Sequence, residues 1–353
     1  MRCQSKLTLL SCALVICIWA FSNQFNVQSV QRVNVNVEST IRGKQLRHFP
    51  NQINMANGLG SNKVNITYEL LPKNKRQTHI IADWPPSKDR YMPHYIQPNK
   101  NTFSLQPSLA KSTGCKLLVA VTSRVESFQQ RQAARQTWAS DLSPEVCVIF
   151  MIGKTGNHLV QEEASTYNDL LQADMDDTYN NLALKSVFML KFFHDLPSEN
   201  KPLYLLKTDV DVFVNLPHLM NILESPEVKE SPLFIIGNRH GTTKRLPPVI
   251  RNRSKWGVPN YMFNGHHYPV FVSGGGYLMS KGAAHCLYQS ALNLPYFFLE
   301  DVFLTGFAAE NCRIPRYHCT GFQLELKNIK YVKESDVLVH GFRFDDVQRI
   351  FQR

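Results

Sequence analysis

From about residue 115 onward, short continuous apolar runs alternate with segments whose apolar residues recur at helical spacing. Continuous apolar runs of strand length occupy residues 116–122, 146–152, 203–206 and 233–237. Between or beside them lie segments whose apolar residues recur at helical spacing, namely residues 127–138, 159–172 and 182–193. Strands that alternate with helices predict an α/β fold with a mainly parallel sheet, flanked by helices on both faces. Ligands of such sheets bind beyond the carboxyl ends of the strands.

The beginning of the chain has a different pattern. Residues 7–21 contain no charged side chain and are preceded by Arg2 and Lys6. This stretch is shorter than the ~20 apolar residues that span a bilayer. A cleaved signal peptide therefore competes with an uncleaved anchor. We favour the anchor, because no small-x-small cleavage site follows the apolar stretch.

These patterns divide the chain into four regions. We predict a cytoplasmic tail at residues 1–6, a signal-anchor transmembrane helix at 7–23, a luminal stem at 24–114 and one folded domain at 115–353. The stem prediction rests on composition, because residues 22–114 are rich in Asn, Gln, Lys and Pro and show little periodicity. Its prolines interrupt any helix, so we expect a solvated tether.

Charge is distributed unevenly among these regions. The 353 residues include 39 Lys and Arg against 28 Asp and Glu, a formal charge of +11. Residues 22–114 contain 12 cations and four anions, whereas residues 115–353 contain 25 cations and 24 anions. A nucleic-acid-binding domain concentrates its cations on the folded part. The nearly neutral folded part therefore argues against nucleic acid as a partner.

Two further features fit export into an oxidising compartment. The tripeptides Asn65-Ile66-Thr67 and Asn252-Arg253-Ser254 are sequons for N-glycosylation. Five cysteines lie outside the anchor, at positions 115, 147, 286, 312 and 319. Up to two disulfides could form among them, and the spacing alone does not reveal their pairing.

The clearest local signal for chemistry is the acidic pair Asp209 and Asp211, which follows the third apolar run. Residues i and i+2 of an extended strand share a face, so both carboxylates can reach one site. Carboxylates held close together repel each other, and a divalent cation relieves that repulsion. Since Mg²⁺ and Mn²⁺ take carboxylate and phosphate oxygens, the pair indicates a metal that holds a diphosphate. A solvated turn with an Asx cap is the alternative.

Three other motifs are weaker candidates. Glu300 and Asp301 precede a predicted helix at 302–311, where either could simply cap the helix. Three consecutive glycines at 274–276 would let the backbone approach a ligand closely or allow a tight turn. Arg131 and Arg135 share one face of a helix, which suits a phosphate group or a solvated surface.

Seven sequence blocks occur in an order that resembles the β-1,3-galactosyltransferase and β-1,3-N-acetylglucosaminyltransferase family, glycosyltransferase family 31. They are RQAARQTW, QEEASTYNDLLQADMDDTYNNLALKS, KTDVDVFVN, SKWGVP, YPVFVSGGGYLMS, EDVFLTG and VHGFRFDDVQRIF. The resemblance covers roughly residues 115–353. It implies that this region is a single GT-A-like, Rossmann-like catalytic domain. It also implies a single-pass type II protein of the Golgi membrane, with the catalytic domain in the lumen.

The resemblance assigns expected roles to individual residues. Asp211 matches the metal-ligating aspartate of the family and His340 matches its second metal ligand, while Asp209 would lie near the nucleotide and the metal. Asp301 matches the catalytic base, and Glu300 is its neighbour in the same pair. Further candidates for contact with the donor are Arg131, Arg135, Lys207, Trp256 and Gly275. Trp256 could instead line the acceptor pocket or pack in the core.

The implied activity is inverting transfer of a sugar from a UDP-sugar to the 3-hydroxyl of a glycan acceptor on protein or lipid, with Mn²⁺ or Mg²⁺ as cofactor. The sequence does not distinguish galactose, N-acetylgalactosamine and N-acetylglucosamine as the donor sugar. Val210 stands where the family usually has a third aspartate, which could weaken ribose contacts or alter donor preference. A catalytically weak or inactive UDP-sugar-binding protein of the same fold is therefore the alternative, and a glycan hydrolase is a more distant one.

Overall fold

An eight-stranded mixed sheet forms the centre of the folded region. The structure, a computed structural model, describes residues 79–108, 115–198, 201–324, 329–341 and residue 349. The strands of this sheet are β1 (Phe103–Leu105), β2 (Leu117–Thr122), β3 (Val146–Ile152), β4 (Leu170–Ala173), β5 (Tyr204–Asp209), β7 (Ile235–His240), β8 (Phe271–Ser280) and β9 (Arg316–His318). Their spatial order is β1-β4-β3-β2-β5-β8-β7-β9.

A smaller sheet and a set of helices complete the described part of the chain. The smaller sheet joins β10 (Phe322–Gln323), β11 (Leu338–His340) and β6 (Val212–Val214) in that order. The helices are α1 (Met92–Ile96), α2 (Phe128–Gln136), α3 (His158–Tyr167), α4 (Leu182–Asp195), α5 (Leu216–Leu223), α6 (Pro226–Lys229), α7 (Lys281–Leu292) and α8 (Ala309–Asn311). A π-helical segment spans Val302–Ala308, and 3₁₀ turns span Tyr179–Asn181 and Ile329–Tyr331.

The half of the large sheet around β2 confirms the predicted α/β class. The neighbours β4, β3, β2 and β5 run parallel to one another, and every residue of β2 is buried. A strand buried on both faces is a continuous apolar run, which makes β2 recognisable from the sequence. On one face lies α4, whose residues from Ala183 to Phe193 are all buried. On the other face, α2 and α5 contribute to a second apolar cluster.

The other half of the sheet is antiparallel at its centre, which the sequence does not predict. β8 pairs antiparallel with both β5 and β7. In this register Gly276 lies opposite Thr208, one residue before the end of β5. The three consecutive glycines therefore pass beside the carboxyl end of β5, where the first acidic pair begins.

Two predicted helices differ from those in the structure. The helix expected at 159–172 ends at Tyr167, because Asn168 adopts a left-handed conformation with φ of 53° and caps it. The residues that follow form β4 instead, and its three apolar residues and Gln172 are all buried. The helix expected at 302–311 begins as the π-helical segment and becomes α-helical only at Ala309.

The folded region begins earlier than residue 115, where the sequence analysis places it. Within residues 79–108, Trp84, Met92 and Ile96 are fully buried in the main apolar cluster, and β1 pairs with β4. The prolines of this segment, which suggest a solvated tether, are compatible with it because the segment contains only one short helix, with Pro93 in its first turn. At least residues 79–108 therefore belong to the fold rather than to a stem.

The predicted tail and anchor, residues 1–23, lie outside the described residues. Among the residues that the structure does describe, no helix combines the length and the apolar character needed to cross a bilayer. All described residues belong to one compact unit.

Two disulfides among the described residues link elements of the fold. Cys115 bonds to Cys147, which joins the segment before β2 to β3, and Cys286 bonds to Cys312, which joins α7 to the end of α8. These bonds give the pairing of four cysteines, which spacing alone does not reveal.

The N-terminal segment can be tested through Trp84. Its indole is fully buried, stacks on Tyr296 with ring centroids 3.7 Å apart and donates to Asn181 Oδ1 at 2.9 Å. We expect Trp84→Ala to lower the free energy of unfolding by about 3–5 kcal/mol, measured by urea unfolding of the full-length chain.

The matched control is Ile80→Ala, because Ile80 belongs to the same segment and is 58% exposed. This change should alter the free energy of unfolding by about 0.5 kcal/mol or less. Equal, small effects of the two substitutions would mean that the segment does not pack on the domain.

Candidate active site

The first acidic pair lies where β5 ends. Asp209 is the last residue of β5, opposite Thr122 of β2. Its Oδ1 accepts hydrogen bonds from the Thr122 hydroxyl at 2.6 Å and from the Lys207 ammonium at 2.7 Å. Residues at the ends of β5 and β2 thus hold Oδ1 of Asp209, whereas Oδ2 is the oxygen that faces His340.

His340 joins Asp209 and Asp211 because the small sheet crosses the end of the large one. The chain turns after Asp209 into β6, and β11 places His340 opposite Val212. His340 Nε2 lies 3.5 Å from Asp211 Oδ1 and 3.9 Å from Asp209 Oδ2. One ligand atom from each of the three residues lies within 4.8 Å of the other two. Carboxylate oxygens and an imidazole nitrogen at this spacing form a set that suits a divalent cation.

The second acidic pair lies on the other side of the β8 glycines. Glu300 is buried and Asp301 is partly exposed. Glu300 Oε1 accepts a hydrogen bond from the Tyr277 hydroxyl at 2.6 Å. Asp301 Oδ1 accepts the backbone N–H of Val302 at 2.8 Å, so it does cap the π-helical segment. Because Asp301 also remains partly exposed, capping does not remove it from the site.

Lys207 connects the two acidic pairs. Its ammonium group, which is buried, donates to Asp209 Oδ1 at 2.7 Å and to the Gly274 carbonyl at 2.6 Å. It also lies 3.9 Å from Glu300 Oε2. The family resemblance implies a donor contact for Lys207. In the structure its ammonium group contacts the protein, and these contacts hold the acidic groups together.

The β8 glycines allow both acidic pairs to approach one strand. A Cβ on Gly274 would lie 3.1 Å from Glu300 Oε2, and a Cβ on Gly275 would lie 3.2 Å from ring atoms of His340. A Cβ on Gly276 would lie 2.3 Å from a methyl group of Leu338. The sequence places Gly275 among the donor contacts; the structure places its α-carbon directly against His340.

Burial and neighbouring charge move the pKa values of the first pair in opposite directions. Burial alone would raise the pKa of Asp209, but the Lys207 ammonium and the Thr122 hydroxyl lower it below the ordinary value. Burial raises the pKa of Asp211, an effect that His340 opposes and Asp209 reinforces. Asp209 is therefore held ionised by the protein, whereas an ionised Asp211 calls for an additional positive charge.

The pKa values of the second pair are both raised. Burial is the main cause for Glu300, and the Lys207 ammonium and Tyr277 hydroxyl oppose it. Burial is also the main cause for Asp301, although the backbone N–H groups of Val302 and Gly274 favour its ionised form. A carboxyl with a raised pKa and some exposure suits a group that takes up a proton during a reaction.

Tyr179 and Trp256 contact each other within electrostatic reach of Asp209 and Asp301. The charges of Asp301 and Asp209 both act on the Tyr179 phenol, whose pKa burial raises, and Trp256 forms a hydrogen bond to its hydroxyl. Trp256 is 50% exposed, so it lines a surface and is not part of the core. The sequence analysis does not single out Tyr179; the only signal for it is its position inside the second of the seven family blocks.

Arg131 and Arg135, which the sequence suggests as donor contacts, bind carboxylates of the protein in the structure. Arg131 is fully buried, and its five N–H groups all donate within the protein. They contact both carboxylate oxygens of Glu163, the Ser123 hydroxyl and the carbonyls of Arg124 and Val125. Arg135 binds Glu163 and Asp169. Both arginines therefore brace α2 and α3, and Arg131 also holds the loop that follows β2.

Val210, between the two aspartates, has a packing role. Its side chain is partly buried against the apolar cluster beneath the small sheet, and its backbone N–H donates to the Thr122 carbonyl at 3.0 Å. The turn that presents Asp209 and Asp211 is thus held in place without a third carboxylate.

Comparison with known proteins identifies the class to which this α/β domain belongs. A family model described as galactosyltransferase matches residues 129–320, which is more than half of the chain. The chain therefore belongs to the galactosyltransferase family, and it is a glycosyltransferase.

Individual relatives agree with this family. The chain is 28% identical over 235 residues to human beta-1,3-galactosyltransferase 1, covering 64% of this chain and 70% of that protein. It is 29% identical over 217 residues to lactosylceramide 1,3-N-acetyl-beta-D-glucosaminyltransferase A of Xenopus laevis, covering 57% of this chain and 56% of that protein. Among solved structures, a glycosyltransferase involved in glycosylation of the PBCV-1 major capsid matches with 13% identity and a TM-score of 0.35, over 66% of this chain and 98% of that one. The family that the seven blocks indicate is confirmed.

The contact between Gly275 and His340 yields a test. In Gly275→Ala the new methyl group would lie 3.0 Å from Leu324 Cδ2 as well as 3.2 Å from His340, so the imidazole must move. We expect affinity for Mn²⁺, measured by calorimetric titration of the full-length chain, to fall roughly tenfold.

Gly156→Ala is the control, because a Cβ at Gly156 would meet no atom within 4 Å. That variant should bind Mn²⁺ like the native chain. If the Gly275 variant also binds Mn²⁺ with native affinity, His340 does not belong to a metal site.

Proposed function

We propose that this chain is an inverting, metal-dependent β-1,3-hexosyltransferase that moves a sugar from a UDP-sugar to the 3-hydroxyl of a glycan acceptor on protein or lipid. The observation that carries the proposal is that Asp209, Asp211 and His340 form one ligand set, which the buried Lys207 joins to Glu300, the neighbour of Asp301. The relatives are named for 1,3-galactosyl and 1,3-N-acetylglucosaminyl transfer, which supports the linkage.

Three residues would hold the divalent cation. Asp211 and His340 supply a carboxylate oxygen and an imidazole nitrogen, and Asp209 supplies Oδ2, because its Oδ1 is already used by Thr122 and Lys207. This donor set fits Mn²⁺ or Mg²⁺. When bound, the cation would offset the negative charge that develops on the departing diphosphate.

Asp301 is the group that we assign to the acceptor. Its carboxylate takes the proton of the acceptor 3-hydroxyl while that oxygen forms a bond to the anomeric carbon of the donor. The bond from the anomeric carbon to the phosphate oxygen breaks at the same time, and UDP leaves with the electron pair. Because the acceptor attacks from the face opposite the leaving group, an α-linked donor gives a β-linked product.

The surrounding residues keep Asp301 in place for this task. The N–H groups of Val302 and Gly274 bind its carboxylate, and the Lys207 ammonium balances the charge of the adjacent Glu300. Glu300 itself is buried and bonded to Tyr277. We therefore assign Glu300 to positioning, and Asp301 to proton transfer.

We also propose that the enzyme works in the lumen of the Golgi, held by an N-terminal signal anchor at residues 7–23 as a type II membrane protein. The charge-free stretch after Arg2 and Lys6 supports the anchor. The disulfides Cys115–Cys147 and Cys286–Cys312 support an oxidising compartment.

Removal of the metal ligand Asp211 gives the first functional test. We expect Asp211→Ala to abolish Mn²⁺ binding and to reduce UDP release from a UDP-sugar to the level that the native full-length chain shows in EDTA. The physical reason is that His340 and one oxygen of Asp209 are then too few protein ligands for a hard cation.

Asp141→Ala is the matched control, because Asp141 is an exposed carboxylate outside the site. It should leave Mn²⁺ affinity and UDP release unchanged. Native UDP release that is indifferent to EDTA would contradict the metal assignment. Donor binding without any turnover would instead favour the inactive sugar-nucleotide-binding alternative.

Replacement of the proposed base gives the second functional test. Asp301→Asn should retain UDP-sugar binding and lose transfer by about 10²–10⁴-fold, the usual contribution of general base catalysis. Since burial raises the pKa of Asp301, the native rate should fall on the acid side at a higher pH than for an ordinary aspartate. Rates of acceptor transfer and binding of UDP-sugar, both followed against pH, provide the measurement. Near-native transfer by the Asn variant would show that another group takes the proton.

A further inference from the structure

The stretch from the last two residues of β7 towards β8 has an unusual charge composition. From residue 239 to residue 267 there is no Asp or Glu. The same stretch contains six Lys or Arg residues and three histidines: Arg239, Lys244, Arg245, Arg251, Arg253, Lys255, His240, His266 and His267. Residues 115–353 as a whole are nearly neutral, so this local excess of positive charge is balanced elsewhere in the domain and not within the segment.

Several of these cations lie on the surface without a local counter-charge. Lys244, Arg245 and Lys255 are exposed. In the part of the chain that the structure describes, none of these three forms an ion pair with a carboxylate, whereas Arg135, Lys185 and Lys207 all do. Their charge is therefore available to a ligand of opposite sign.

The segment is held in a fixed conformation. The Arg251 guanidinium donates to the carbonyls of Val258 at 2.9 Å, Phe263 at 2.7 Å and Gly265 at 2.5 Å. Gly257 passes so close to Asn252 that a Cβ would lie 1.8 Å from its carbonyl oxygen. One cation of the segment thus serves to order it, and the exposed cations are presented by an ordered surface.

This surface adjoins the proposed base. The Lys255 ammonium lies 4.7 Å from the centroid of the Trp256 ring and 5.8 Å from that of Tyr179. Trp256 forms a hydrogen bond to the Tyr179 hydroxyl, and the charge of Asp301 acts on the same hydroxyl. Lys255, Trp256 and Tyr179 therefore form one group at the end of the basic segment, and the charges of Asp301 and Asp209 both reach its phenol.

Of the two carboxylates that act on the Tyr179 phenol, Asp301 has the larger effect and Asp209 the smaller, which favours the acceptor side for the segment. The acceptor hydroxyl must reach Asp301, whereas the diphosphate of the donor belongs beside Asp209, Asp211 and His340. Trp256, half exposed next to Tyr179, offers an aromatic face of the kind on which a sugar ring packs. Lys255, beside that ring, can pair with an anionic group on the acceptor.

We propose that residues 241–256 form an acceptor-recognition surface that selects an anionic glycan, one that bears a sulfate group or a uronic acid carboxylate next to the sugar that receives the transfer. The acceptor sugar packs against Trp256 with its 3-hydroxyl toward Asp301. Lys255, with Lys244 and Arg245 farther along the segment, binds the anionic group. This proposal rests on the proposed function, because it names the substrate class of the same site.

The test compares matched acceptors. Neutral oligosaccharides that end in galactose, N-acetylgalactosamine, N-acetylglucosamine or xylose are each paired with the same oligosaccharide carrying sulfate or glucuronate. The full-length native chain is compared with the triple variant Lys244→Gln, Arg245→Gln, Lys255→Gln. The control is Lys281→Gln, an exposed cation that follows the opposite end of β8, roughly 20 Å along the strand from Gly274.

Two readouts are taken for every pair. The first is kcat/KM for transfer at low and at high salt, and the second is acceptor binding by calorimetry without a UDP-sugar. We expect the native chain to favour the anionic member of at least one pair by about tenfold at low salt, as a few exposed ion pairs provide. That preference should fall with salt, disappear in the triple variant and persist in Lys281→Gln, while kcat/KM for the neutral member stays the same.

Other results would overturn the proposal in distinguishable ways. Equal binding of both members of every pair, or a preference that survives in the triple variant, rejects the surface as a charge selector. A rise in KM for the UDP-sugar alone would assign these cations to the donor. Loss of binding to phosphatidylserine vesicles with an unchanged acceptor preference would assign them to a membrane. Absence of UDP release with every donor would instead count against the proposed function, and the binding readout still decides the acceptor question in that case.

Discussion

The buried ammonium group of Lys207 is the interaction on which the rest of the site depends. Asp209, Glu300 and Asp301 bring several carboxylates into a low-dielectric region, where unpaired negative charges are strongly disfavoured. Lys207 lies within 2.7 Å of Asp209 and 3.9 Å of Glu300. Burial alone would lower its pKa, but these carboxylates raise it, so the lysine stays charged. Because Lys207 and Asp209 are two residues apart on one strand, β5 supplies the acidic group together with its counter-charge.

The glycines of β8 complete this arrangement by removing side chains from the space between the two acidic pairs. The Gly274 carbonyl accepts from Lys207, and the Gly275 carbonyl accepts from the Thr208 hydroxyl at 3.1 Å. On the same short stretch, Glu300 lies against Gly274 and His340 lies against Gly275. Gly274 and Gly275 are neighbours on β8, so the proton-transfer pair and the proposed metal ligands contact adjacent residues of one strand. This explains why three glycines in a row are needed in a strand, where glycine is ordinarily unfavourable.

The sequence predicts the parts of this structure that depend on local pattern. The buried strands β2 and β3 are visible as apolar runs, and the position of Asp209 at a strand end follows from the run that precedes it. The pairing of β8 and the approach of His340, 131 positions after Asp209, depend on tertiary contacts that periodicity does not encode; only the family resemblance identifies His340. Arg131 shows the same limit: helical spacing places it with Arg135 on one face, but it cannot reveal that Glu163 covers that face. Trp84 lies in a segment whose composition resembles a tether, because packing against Tyr296 outweighs local composition.

The distribution of charge shows why a sum over a domain is a poor guide to its surface. Residues 115–353 contain almost equal numbers of cations and anions, and this balance argues against a polyanionic partner only if the two signs are mixed evenly. The two signs are not mixed evenly, because the stretch from 231 to 299 has no acidic residue. Several acidic residues elsewhere are instead neutralised by buried partners, namely Lys207, Lys185 and Arg131. Buried pairs cancel in the sum and contribute little to the field outside, whereas exposed cations without counter-charges dominate it locally. A nearly neutral domain can therefore present a locally basic surface, as the exposed Lys244, Arg245 and Lys255 do.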